Sequence, residues 1–117
     1  MCIVIRSATL TWLASWFFPV AAITLWPFII VNPEHESDRL INHEKIHIAQ
    51  QEEMWVLGFY AVYLWDWIRN LIRTKSTRQA YMAIRFEQEA HKNDHDQLYL
   101  ESRMQYAWLD YEAEDIG

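Results

Sequence analysis

A chain of 117 residues with 52% hydrophobic content is the size of one domain with a modest core. Its formal charge of −6 gives no basic footprint, which excludes nucleic acid as an expected partner. Two Gly and three Pro, against seven Trp, six Tyr and five Phe, argue for long helices with few connections and against a many-stranded sandwich.

Cys2 is the only cysteine, so no internal disulfide forms and a reducing, cytoplasmic setting is expected. Without paired cysteines, any metal must be held by His and carboxylate. The first apolar stretch runs from Ala8 to Val31, interrupted by Pro19 and Pro27. The second runs from Met54 to Ile72 and carries Asp66 and Arg69. Both approach the length that spans a bilayer, which keeps membrane association as an alternative. The prolines, Gly58 and the two charges favour a buried strand–turn segment and a buried helix.

Within the first stretch, "AAITLWPFIIV" (21–31) reads as one short β element. Proline cannot donate to a ladder, so Pro27 confines it to a sheet edge. "NPEHES" follows as a polar loop in which Ser37 or Asp38 caps a helix running through "INHEKIHIAQQ". A break near Gly58 precedes an aromatic-rich helix to Ile72, in which Asp66 and Arg69 are spaced to pair. "RTKST" is a polar connection with Ser76 or Thr77 as cap, and "RQAYMAIRFEQEAHK" continues as helix to about His91. "NDHD" weakens that helix, and "QLYLESRMQYAWLDYE" reads as a last one. The expectation is a mainly α, single minimal domain over 1–117, with four or five helices and a short N-terminal β edge strand.

On a helix, His43 and His47 project from one face, one turn apart, where a single tetrahedral zinc accepts both. Glu44 is displaced around the helix and is placed to act as a general base beside the metal. Leu40, His43, Ile46, His47, Gln50 and Met54 form one stripe, and Lys45 and Glu52 point away. A catalytic zinc takes three protein ligands, and the third is expected from "RFEQEAHKNDH". Glu87 falls on a stripe with Ala80, Ile84 and His91, flanked by Ala83 and Ala90. Glu89 falls with Arg78, Arg85 and Lys92 on a charged face and is expected in water. Glu87 is therefore the expected ligand. His91, one turn beyond it, is a candidate for ligation, for hydrogen bonding to a developing oxyanion, or for simple packing, and His95 could extend the row. Glu44 and His47 also match half of a di-iron ExxH site, but Glu87 and His91 are spaced ExxxH and supply no second half.

"HEKIH" followed about 40 residues later by "EQEA" resembles the gluzincin-type zinc metallopeptidases. The wider run "ITLWPFI … NHEKIHIAQQ … FYAVYLWDWI … AYMAIRFEQEA … YL" looks like a group of small bacterial HExxH proteins, over about residues 22 to 106. The resemblance implies zinc on His43, His47 and Glu87, Glu44 as general base, and a peptide or protein substrate. It also implies that "ITLWPFI" is an edge strand onto which an extended substrate adds. Related peptidases often carry Asp directly after the ExxA segment, where this chain has His91. The competing expectation is a small membrane-associated, non-enzymatic protein with a structural metal site.

Overall fold

The computed structural model describes residues 2–14 and 22–111. Strand β1 (Ile3–Arg6) leads through helix α1 (Ala8–Ala14) to strands β2 (Ala22–Leu25) and β3 (Phe28–Val31), and a 3₁₀ turn (Pro33–His35) follows. Helices α2 (Asp38–Glu53), α3 (Leu57–Thr74), α4 (Thr77–Met82), α5 (Arg85–Asn93) and α6 (Tyr99–Ser102) complete the order, with a last 3₁₀ turn at Ala107–Asp110. The fold is mainly α with a small N-terminal sheet, as the composition implied.

The sheet is larger than the single β element expected. Its order is β1-β3-β2, with β3 central, parallel to β1 and antiparallel to β2. Pro27 sits inside no strand. With Trp26 it forms the two-residue reversal between β2 and β3, across a cis peptide, where its missing N–H costs no ladder bond. Pro19 and the rest of 15–21 lie outside the described residues.

Helix α2 starts where the sequence signals it, with the Ser37 hydroxyl accepting from Leu40 N–H at 3.1 Å. It ends earlier than Gly58, which lies within α3. Val56 N–H reaches back to Gln51 C=O and Trp55 N–H to Glu52 C=O, a Schellman closure with Trp55 at the left-handed position (φ 59°) that usually takes glycine. Val56 follows at φ 59°, so two bulky residues stand here in strained backbone.

The helix expected over 78–91 is two helices. Ser76 caps α4 by accepting from Gln79 N–H, and the chain then opens at Ile84 (φ −63°, ψ 130°) before α5. Asp66 explains the break. Its carboxylate accepts from Arg85 N–H at 3.3 Å and from the Arg85 guanidinium at 2.9 Å through both oxygens, fixing the first turn of α5 against α3. Asp66 thus belongs to Arg85, with Arg69 a looser neighbour at 3.8 Å.

The expected last helix is only the single turn of α6. Arg103 leaves helical geometry and turns its guanidinium inward, while Tyr106 N–H donates to Glu53. These tertiary bonds outweigh local helix propensity. Phe59, Ile84, Phe86 and Trp108 form the aromatic core that sets α3 on α5. Helix α2 packs between the β2–β3 hairpin and the α3–α5 pair, so both of its flanks are buried.

Candidate metal centre

Two helices bring the site together. His43 and His47 on α2 face Glu87 on α5, and each imidazole Nε2 lies 3.2 Å from the same oxygen, Glu87 Oε1. Both opposite nitrogens are committed. His43 Nδ1 meets Asp94 Oδ2 at 3.0 Å, and His47 Nδ1 meets Gln50 Oε1 at 2.7 Å. Gln50 presents its oxygen there because its amide nitrogen already donates to Phe86 C=O and Glu89 Oε1. Asp94 also accepts from the Arg39 guanidinium, through its other oxygen. Both imidazoles therefore carry the proton on Nδ1 and aim a lone pair inward from Nε2 when neutral.

Glu44 lies beside this group. The Thr24 hydroxyl on β2 donates to its Oε1 at 2.8 Å, while Oε2 stands 3.8 Å from His43 Nε2. His43, Glu44, His47 and Glu87 are all between 4% and 6% exposed. Ligand atoms of His43, Glu44 and His47 lie within 4.8 Å of one another, and so do those of His43, Glu87 and His91. Glu87 belongs to one of these groups and its Oε1 lies equally far from both α2 imidazoles.

His91 sits one turn beyond Glu87 with its ring 4.6 Å from that of His43. Its Nε2 is buried, 3.8 Å from Glu87 Oε1, and has no hydrogen-bond partner among the described residues. His95 is exposed and takes no part. Two phenols complete the pocket: Tyr63 donates to Glu87 Oε2 at 2.7 Å and Tyr81 to Oε1 at 3.1 Å.

Electrostatics follow from one buried carboxylate among imidazoles. Burial works against charge on His47, but the charge and hydrogen bond of Glu87 outweigh it and lift His47 to about 9. His43 is raised for the same reasons, against burial and the neighbouring His47. Burial likewise opposes ionisation of Glu87, yet the two histidines hold it well below the usual carboxylate range. Burial, then the charge of His43, lowers His91. Burial and Glu87 push Tyr63 and Tyr81 up, so both stay protonated donors. A buried carboxylate here needs a cation, and in the bare site a proton on imidazole serves.

The sequence reading placed Glu89 in water, and that is overturned. Glu89 is 0% exposed, bound by Arg103, by the Tyr99 hydroxyl at 2.7 Å and by Gln50. The continuous 78–91 helix assumed for the face assignment does not exist, and Arg103 arrives from a segment expected to be helical. Asp94 was missed as the partner of His43. In sequence "NDHD" reads only as a weakening of the helix, and tertiary packing brings Asp94 against His43 Nδ1.

The edge strand is also less open than expected. Gln51 donates to Thr24 C=O at 3.3 Å and accepts from Trp26 N–H at 3.1 Å, and Tyr60 donates to the same carbonyl. These are the backbone groups an added strand would use, so this part of the β2 edge is already paired. No family model, curated protein or solved structure matches the chain.

Proposed function

We propose that this chain is a minimal zinc-dependent peptide hydrolase of the gluzincin-like HExxH type. His43, His47 and Glu87 are its ligands and Glu44 its general base. The observation that carries the proposal is the convergence of two Nε2 atoms on one Glu87 oxygen at 3.2 Å each, with both Nδ1 atoms committed elsewhere. Ligands held at roughly 2.0–2.1 Å by a tetrahedral zinc stand about 3.3 Å apart, so both His–Glu87 distances fit. Two imidazole nitrogens and a carboxylate are also a donor set that suits zinc.

When bound, zinc supplies a Lewis acid at the point of convergence. Glu44 takes and returns the proton. Thr24 pins its Oε1, leaving Oε2 as the proton-carrying atom at the edge of the centre. His91 Nε2, buried and without a hydrogen-bond partner among the described residues, is placed to donate to negative charge developing beside Glu87. An extended peptide would meet the β2 edge around Ala22, because Gln51 and Tyr60 hold the Thr24–Trp26 portion. The lone Cys2 fits a reducing, cytoplasmic setting.

The test is a mixed peptide library incubated with the zinc-loaded chain and read by mass spectrometry. Cleavage by the wild type should fall by roughly 10²–10⁴ in Glu44→Gln at unchanged zinc content. A zinc-loaded wild type that cleaves nothing removes the hydrolase assignment.

A second reading has one observation in its favour: the closure of the site. With four site residues at 4–6% exposure, the centre resembles a structural metal site, which has no open position. Under that reading zinc stabilises the fold and cleavage is absent in every variant.

A further inference from the structure

Helix α3 exposes an apolar face opposite the one it buries. Phe59, Asp66 and Asn70 are buried on the inner face, from which Tyr63 reaches Glu87. On the outer face Leu57, Ala61, Leu64, Trp65, Ile68 and Ile72 recur at three- and four-residue spacing, which on a helix is one continuous stripe. That stripe is open, with Leu57 80%, Trp65 62% and Ile72 73% exposed. A contiguous exposed apolar stripe of this kind marks an interaction surface with a protein or a membrane. Yet no helix among the described residues is long and apolar enough to cross a membrane.

Along the segment from Leu57 to Arg78 the exposed charges have one sign. Asp66, the only acidic residue from Leu57 to Arg78, is buried against Arg85. Arg69, Arg73, Lys75 and Arg78 are all exposed. Arg69 follows Ile68, and Arg73 follows Ile72, so both stand on the shoulder of the stripe. There their stems can lie along apolar surface while the guanidinium groups rise out of it. In a chain of net charge −6, this is a local patch of four cations around an aliphatic and tryptophan face. A second copy packed on the same face would offer these cations no acid, because α3 exposes none.

We propose that the outer face of α3 is a docking surface for an anionic lipid bilayer. The helix lies in the plane of the interface, with Leu57, Leu64, Trp65, Ile68 and Ile72 at the acyl boundary and Arg69, Lys75 and Arg78 on lipid phosphates. Attachment is peripheral, and the inner face of α3 then holds the candidate metal centre about one helix diameter, roughly 10–12 Å, from the lipid. This does not depend on the chain being a hydrolase.

The experiment is co-sedimentation of the full chain with phosphatidylcholine vesicles, with and without phosphatidylglycerol, at low and high salt. The wild type should pellet with the anionic vesicles, less at high salt, and weakly with neutral ones. Each cation near such a surface is worth roughly fivefold in partitioning, so Lys75→Glu/Arg78→Glu should lower binding at least about 25-fold. Leu64→Glu/Ile68→Glu should abolish it at unchanged thermal melting. Should that variant fail to fold, wild-type tryptophan fluorescence with brominated lipids decides. Quenching that drops in Trp65→Phe supports the surface, and no quenching overturns it. Absence of wild-type binding to anionic vesicles, or equal binding by a folded Leu64→Glu/Ile68→Glu, also overturns it. So does a wild-type dimer that becomes monomeric in Leu64→Glu/Ile68→Glu and never pellets with vesicles, since a second copy would then be the occupant.

Discussion

Glu87 and Glu89 stand two residues apart on α5, both buried, and turn to opposite sides of the helix. Glu89 meets Arg103, Tyr99 and Gln50, and the same guanidinium also holds Glu53. Its counter-charge is permanent, because a guanidinium stays protonated at any ordinary pH. Glu87 meets two imidazoles and two phenols, none of which is a cation unless it takes up a proton. Two carboxylates of equal burial thus have unlike needs. One is balanced by the fold itself, and the other is balanced only by a proton or a metal ion. Gln50 joins the two regions, accepting from His47 and donating to Glu89, so the ion cluster also orients a candidate ligand.

The largest effect should come from the self-balanced side. Arg103→Met leaves Glu89 and Glu53 buried without their cation, which should cost about 3–5 kcal/mol of stability. Urea unfolding should show the same loss with and without zinc. A loss that zinc repaired would mean that the two regions are not separable as described. Glu89→Ala should be comparably harmful and, through Gln50, should also weaken zinc binding.

On the other side the dependence on metal should be plain. Zinc at about 100 times its dissociation constant should stabilise the wild type by about 2.7 kcal/mol, and Glu87→Gln should lose that gain. The metal-free wild type should also be sensitive to pH. His47 is raised to about 9, above the ordinary histidine value of about 6.5. The stability it contributes is therefore fully present below about 6.5 and is lost as pH rises through about 9. Thermal melts of the metal-free chain across that window check this, and Glu87→Gln should flatten the decline.

A smaller effect should follow from Asp94→Asn, which weakens the acceptor on His43 Nδ1 without touching a ligand atom. Loss of such an orienting carboxylate should lower zinc affinity by about 10–100-fold, measured by competition with a chromophoric chelator. An unchanged affinity would show that Asp94 does not fix the imidazole.

How much of this was legible in the sequence depends on range. The α2 face with His43, Glu44 and His47 follows from helical period alone, and Ser37 marks its start. The sequence singles out Glu87 by its spacing to His91 and by Ala90, which share α5 with it, and by Ala80 and Ala83, which do not. Glu89 was misplaced because the argument from faces needs an unbroken helix, and Asp66 breaks it from another element. The Arg103 and Asp94 partnerships reach 50 and 51 residues back to Glu53 and His43, and no local pattern encodes them. The hairpin was missed because a proline inside a β-branched run weakens a strand but does not announce a reversal.

The most direct measurement is zinc stoichiometry of the purified, tag-free chain by elemental analysis, for wild type, Glu44→Gln and Glu87→Gln together. Wild type and Glu44→Gln should each hold about one zinc per chain, as expected of a site with two imidazoles and one carboxylate, and Glu87→Gln should hold almost none. A wild type that stays metal-free and does not gain stability when zinc is added would contradict the account. So would a Glu44→Gln that loses its zinc, because Glu44 would then be a ligand and no base would remain.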